Sequence, residues 1–107
     1  MVDDKELKQY YFVDKSGIHG KGLFARVAIE EGEYMGTYDG PEVVENGMHV
    51  LWVEGDDGEW RGRDGKNLLR YLNHSRTPHA EFDGFDLYAA QTIEAGTEIT
   101  IDYGEEP

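Results

Sequence analysis

Apolar and aromatic positions in this chain come in short runs, each cut off by glycine, acidic pairs or proline. An aromatic and β-branched run at residues 10–13 predicts a first strand. A glycine-spaced loop, residues 16–22, separates it from an apolar stretch at 23–29, which an acidic turn at 30–33 closes. Residues 34–38 predict another strand, ended by Asp39, Gly40 and Pro41. Strand-forming residues at 49–53 and 59–61 flank Gly55-Asp56-Asp57-Gly58, the signature of a hairpin. Residues 67–72 (NLLRYL) are the one helical piece, and it is short. A second hairpin is predicted from 80–82 and 87–91, around Asp83-Gly84-Phe85-Asp86. The last run, 97–103, alternates: Thr97, Ile99, Ile101 and Tyr103 face one way, Glu98, Thr100 and Asp102 the other. The pattern predicts a mostly β domain of many short strands with little helix.

Composition narrows this picture. The chain has 107 residues, enough for one domain, here residues 10–107 behind an acidic lead at 1–9. Its 14 glycines, nearly twice average usage, fit tight turns between short strands. The absence of cysteine excludes a disulfide framework and a Cys-type zinc site. The charged lead has no apolar region behind it, and no apolar run approaches the roughly 20 residues that span a bilayer. A soluble, intracellular and most simply cytoplasmic protein without membrane contact is expected. The formal net charge of −13 argues against direct contact with nucleic acid, whose phosphates need a basic face. It either steers a cationic partner toward the surface or only maintains solubility.

Single motifs do not decide the chemistry. Gly20-Lys21-Gly22 could let the backbone approach a ligand, or simply make a turn; it is no phosphate loop, because no GK[ST] follows. Asn73-His74-Ser75 offers an amide that both donates and accepts, suited to an adenine edge, or a residue that caps the preceding helix. His19, His49, His74 and His79 match no ligand spacing, so no metal is expected. There is no G-x-S-x-G elbow, and among so many carboxylates no catalytic pair stands out. Tyr103 is either a core aromatic or a phenol that orients a substrate nitrogen.

The order of the motifs is more specific than any of them. Gly20-Lys21-Gly22-Leu23-Phe24-Ala25 is followed by Tyr38-Asp39-Gly40, then Gly62–Leu68, then Arg70-Tyr71-Leu72-Asn73-His74-Ser75 with Pro78. Gly96-Thr97-Glu98-Ile99-Thr100-Ile101-Asp102-Tyr103-Gly104 completes the series. From about Tyr10 to Gly104 this resembles the SET domain, the fold of protein-lysine methyltransferases. The resemblance implies small curved β-sheets with a knot-like crossing of the Asn73-His74-Ser75 segment and the C-terminal strand. It implies S-adenosylmethionine as cofactor, held by Gly20, Lys21, Gly22, Tyr38, Arg70, Asn73 and His74, with adenine read by Asn73 and the backbone of His74. Substrate lysine would enter a narrow channel from the opposite face, and Tyr103 would be the catalytic residue where the two meet.

Arg76 stands where the family commonly has cysteine, and His79 where asparagine commonly follows the proline. No cysteine follows Tyr103 to form the zinc-binding segment that normally walls the lysine channel. A homodimer is therefore one expected way to complete the channel, with Trp52 and Trp60 as candidate contacts. The expected partner is a lysine-rich basic protein. The alternative function is a non-catalytic SET-like binding or interaction module, and a third is an acidic β-rich protein with no small-molecule ligand.

Overall fold

The computed structural model describes residues 4–102. The chain begins with α1 (Asp4–Tyr10), built from good helix formers. Leu7 is its anchor: it is fully buried in the core. The described part of the acidic lead is thus packed onto the domain. The helix takes Tyr10 away from the first expected strand, which starts one residue later.

Three small sheets follow, in line with the expected mostly β architecture. In the first, β1 (Tyr11–Lys15) pairs antiparallel with β2 (Lys21–Ala25), so that Phe12 faces Phe24 and their rings stack at 5.4 Å. The sheet continues through β10 (Glu98–Ile101) to β7 (Asn73–His74), in the order β1-β2-β10-β7. β10 runs antiparallel to β2 and parallel to β7. The second sheet has the order β3-β9-β8, from β3 (Tyr34–Thr37), β8 (Ala80–Asp83) and β9 (Asp86–Ala89). The third has the order β4-β6-β5, from β4 (Glu42–Val43), β5 (Val50–Glu54) and β6 (Trp60–Asp64). Both expected hairpins, β5–β6 and β8–β9, form.

Several elements differ from their sequence pattern for physical reasons. The apolar stretch 23–29 is a strand only as far as Ala25. Beyond it, Ile29 turns to Ile93, and the two exchange backbone hydrogen bonds of 2.8 Å in an isolated bridge. The short helical piece is a 3-10 helix, Leu68–Tyr71, which buries Leu68 and Leu69. A single turn held on the core by two leucines has no length to settle into an α-helix. The alternation of β10 is real, yet both faces are covered: Ile99 and Ile101 are buried, and so is Thr100 between them. The expected knot-like crossing of the Asn73-His74-Ser75 segment with the C-terminal strand falls in part on positions outside the described residues, which end at Asp102. Among the described residues no helix is long and apolar enough to cross a membrane.

Leu7, Leu23, Ile29, Leu69, Leu87, Ile93 and Ile99 are the fully buried large side chains of the core. They come from α1, the 3-10 helix, the first two sheets and the bridge, so one core fastens these parts together. Tyr11 extends through it. Its buried hydroxyl donates a 2.8 Å hydrogen bond to the Met35 carbonyl, which ties β1 to β3. Burial pushes this phenol well above the ordinary tyrosine range, and the Glu33 carboxylate adds to the shift. Tyr11→Phe leaves the Met35 carbonyl buried without its donor, and a loss of about 1–3 kcal/mol is expected in urea unfolding at neutral pH. The raised pKa stabilises the fold below the unfolded value of about 10, and that contribution is lost as pH rises beyond it. Stability of the wild type should therefore fall more steeply above that pH than stability of Tyr11→Phe. Equal slopes would contradict this assignment.

Candidate functional site

The segment from the 3-10 helix into β7 connects two clusters of the residues singled out in the sequence. Tyr38 and Arg70 form one. Both line a cleft of about 620 Å³ together with Leu69, Leu72, Phe82 and Ile101 on one side and Trp52 and Trp60 of the β5–β6 hairpin on the other. Tyr38 is held firmly there. Its hydroxyl donates to the His49 carbonyl at 2.5 Å, and its ring meets Phe82 edge to face at 5.8 Å. Gly65 lies so close that a Cβ there would come within 2.8 Å of ring atom Cε2. Glycine at 65 is thus a matter of space for the phenol ring.

Arg70 is engaged at once with backbone and ring. Nη1 donates to the carbonyls of Lys66 (2.7 Å) and Asn67 (2.8 Å), and Nη2 donates to the Tyr71 hydroxyl at 3.0 Å. Its guanidinium lies 4.5 Å from the centre of the Tyr71 ring. The planar, always charged fork suits this combination of carbonyl and ring contacts.

The second cluster joins the Gly20-Lys21-Gly22 loop to Asn73, with His74 next to it on β7. Asn73 directs its Nδ2 back toward the loop, 3.1 Å from the carbonyls of both His19 and Lys21. It also lies 3.1 Å from Ser16 Oγ and 2.9 Å from Glu98 Oε2. It does not cap the helix before it. His74 Nδ1 lies 3.7 Å from Asp102 Oδ1, both side chains being partly exposed. Of the other histidines, His79 brings Nδ1 to 3.1 Å from Thr100 Oγ1. Tyr103 lies outside the described residues.

Ser16 and Glu98 belong to this cluster, and the sequence pattern had not marked them. In the alternation of residues 97–103, Glu98 only shared a face with Thr100 and Asp102. The detectable signal was a glycine, Gly22, on the neighbouring strand, where a carboxylate needs room.

A second cleft, of about 510 Å³, lies beside the first. The two share Leu51, Trp52, Phe82 and Ile101 as a common wall. Pro78, Glu81 and Asp102 add to the second. Of the two tryptophans proposed as contacts, Trp60 is exposed, while Trp52 is partly buried and donates its indole N–H to Asn46 Oδ1 at 3.1 Å.

The chain is similar to known proteins over most of its length. Residues 20–104 match the family profile described as "SET domain". The chain is 35% identical over 97 residues to a "SET domain-containing protein" of Phaeosphaeria nodorum, a match that covers 78% of this chain. It is 27% identical over 111 residues to "Histone-lysine N-methyltransferase MEDEA" of Arabidopsis thaliana, covering 85% of this chain. In both cases the chain spans 16% of the relative's length. The matched stretch covers most of the chain and runs through β10; it takes in both clusters except Ser16 and His19, and by this match the chain belongs to the SET-domain family.

Proposed function

We propose that this domain transfers methyl groups from S-adenosylmethionine to the side-chain amine of lysine in a basic protein. The observation that carries the reading is the pair of clefts with a shared wall, within a chain of the SET-domain family. Two ligands that must exchange a group need adjoining pockets. Here the wall between them includes Ile101, which precedes Tyr103 by two positions in sequence. A relative named for histone-lysine methylation supports the same reaction class.

The residues fit such a cofactor. The first cleft has a volume in the range of small-molecule sites, roughly 300–1,000 Å³. Its aromatic faces, Tyr38, Phe82 and Trp52, suit an adenine ring or a sulfonium cation. Tyr38 and Arg70 line this cleft, whereas Gly20, Lys21, Gly22, Asn73 and His74 line neither cleft and would hold the part of the cofactor that reaches the neighbouring cluster. When bound, the cofactor supplies an electrophilic methyl group. The chain's own contribution is positioning and electrostatics, since the transfer needs no covalent enzyme intermediate. The apolar wall of Leu51, Phe82 and Ile101 favours the neutral form of an entering lysine amine, which is the nucleophilic form. The Tyr103 phenol orients that amine. A net charge of −13 draws lysine-rich partners to the surface.

Calorimetry should detect binding of S-adenosylmethionine and of its demethylated product. No heat and no thermal shift with either would overturn the reading. In methylation assays with basic proteins, Tyr103→Phe should lower turnover far more than cofactor affinity, the mark of an interaction used in the transition state. Unchanged turnover would reduce Tyr103 to a structural aromatic. Lysine-rich peptides should associate faster at low salt. The advantage should fade as the screening length shrinks to about 8–10 Å near physiological ionic strength. A rate indifferent to salt would leave the acidic surface with solubility as its role.

A further inference from the structure

We infer that Glu98 is a positioning residue for the cofactor loop, a clasp that holds residues 16–22 against β7. The inference rests on the methyl-transfer reading above and adds a residue to it.

The geometry is that of one carboxylate serving three segments. Ser16 Oγ donates to Glu98, lying 2.8 Å from Oε1 and 2.6 Å from Oε2. Asn73 Nδ2 donates to Oε2 at 2.9 Å. The serine oxygen in turn accepts the backbone N–H groups of Ile18 (2.9 Å) and His19 (3.2 Å). A hydroxyl has one proton to give. With two amides pointing at its oxygen, that proton is directed to the carboxylate, and the loop acquires a defined shape. Asn73 has two N–H groups, and they span Glu98, Ser16 and the carbonyls of His19 and Lys21. Loop, β10 and β7 are thus joined at one point. Charge-assisted bonds of this kind are shorter and stronger than neutral ones.

Gly22 completes the argument. Its φ is not in the left-handed region, so its backbone conformation does not call for glycine. Space does: a Cβ on Gly22 would collide with Glu98 Oε2, lie 2.9 Å from Glu98 Cδ and 3.2 Å from Ser16 Cβ. The second glycine of the Gly20-Lys21-Gly22 motif is the seat of the Glu98 carboxylate. Asn73 therefore acts on the cofactor loop through its amide nitrogen. Glu98 begins β10, which ends at Ile101, two positions before Tyr103 in sequence.

The test uses the full chain, with calorimetric binding of S-adenosylhomocysteine and the kinetics of methyl transfer. Failure of the wild type to bind would count against the methyl-transfer reading itself. Given wild-type binding, Glu98→Ala should raise the Kd and the KM for S-adenosylmethionine about tenfold or more and leave kcat within about threefold, the split expected when a bound shape, not the chemistry, is lost. Glu98→Gln, isosteric and able to keep part of the hydrogen bonding, should recover most of the affinity. Gly22→Ala should weaken binding in the wild type but add less than about twofold in the Glu98→Ala background, because the group it collides with is gone. Affinity within about twofold of wild type for Glu98→Ala, or an equal effect of Gly22→Ala in both backgrounds, would overturn the assignment. If Glu98→Ala does not fold, Ser16→Ala decides, removing the hub hydroxyl from the loop: a raised KM at unchanged kcat supports the clasp, and an unchanged KM overturns it.

Discussion

Strand β10 is the constraint on which the rest of the domain depends. Its first half pairs with β2 and its second half with β7, and Ile99, Thr100 and Ile101 are buried in succession. Further backbone bonds hold its surroundings: Ser75 N–H donates to the Ile101 carbonyl at 2.9 Å and His79 N–H to the Thr100 carbonyl at 3.1 Å. Slippage by one residue would exchange the faces of every side chain and place Glu98 in the apolar core. The buried Thr100 is tolerated because its hydroxyl meets His79. Register along this strand is consequently well determined, and with it the relation of the glycine loop to the Asn73-His74 segment.

The clefts follow from how the third sheet is attached to this frame. β4, β5 and β6 supply little of the buried core. They are fastened through polar contacts around Tyr38. Its hydroxyl bonds to the His49 carbonyl, and Arg63 Nη1 donates to the carbonyl of Tyr38 at 2.8 Å. The Arg63 guanidinium lies 3.9 Å from the centre of the Phe85 ring, which links β6 to the β8–β9 turn. Gly65 N–H to the His49 carbonyl (2.9 Å) and Lys66 N–H to the Asp39 carbonyl (2.8 Å) complete the attachment. A sheet held at its base by hydrogen bonds leaves its aromatic side chains, Trp52 and Trp60, facing open space, and that space is the first cleft. Surface ion pairs contribute little to this. Lys66 and Asp64 approach to 3.1 Å, but Lys66 is exposed and Asp64 only half-buried, and such surface pairs are worth at most about 1 kcal/mol.

Much of the fold was legible in the residues. Period-two runs, the Asp-Gly turns and the glycine excess identified a mostly β domain and both hairpins, because strand alternation and turn chemistry are local properties. The ordered motifs identified the family for a related reason: each marks a place where backbone or side chain must take a particular form. Of the seven residues named for the cofactor, Tyr38 and Arg70 line one cleft, while Gly20, Lys21, Gly22, Asn73 and His74 line neither. The helix α1 was not seen, because six charged and polar residues around one leucine resemble a solvated tail until the pocket for Leu7 exists. The two-residue strands β4 and β7 were also missed, since pairing of that length is decided by the neighbour and not by propensity.

Ser16 and Glu98 show the limit most clearly. They are separated by 82 positions, and nothing in the local sequence of either announces the other. Alternation along 97–103 determined which residues share a face, but not that the face carrying Glu98 and Thr100 would also be covered. That came from the packing of β10 between β2 and β7, which brings a carboxylate, a serine, an asparagine amide and a glycine without a side chain to one point. Sequence carries what depends on a residue and its near neighbours. Contacts between distant segments require the chain to close on itself, and their chemistry is defined only when it has done so.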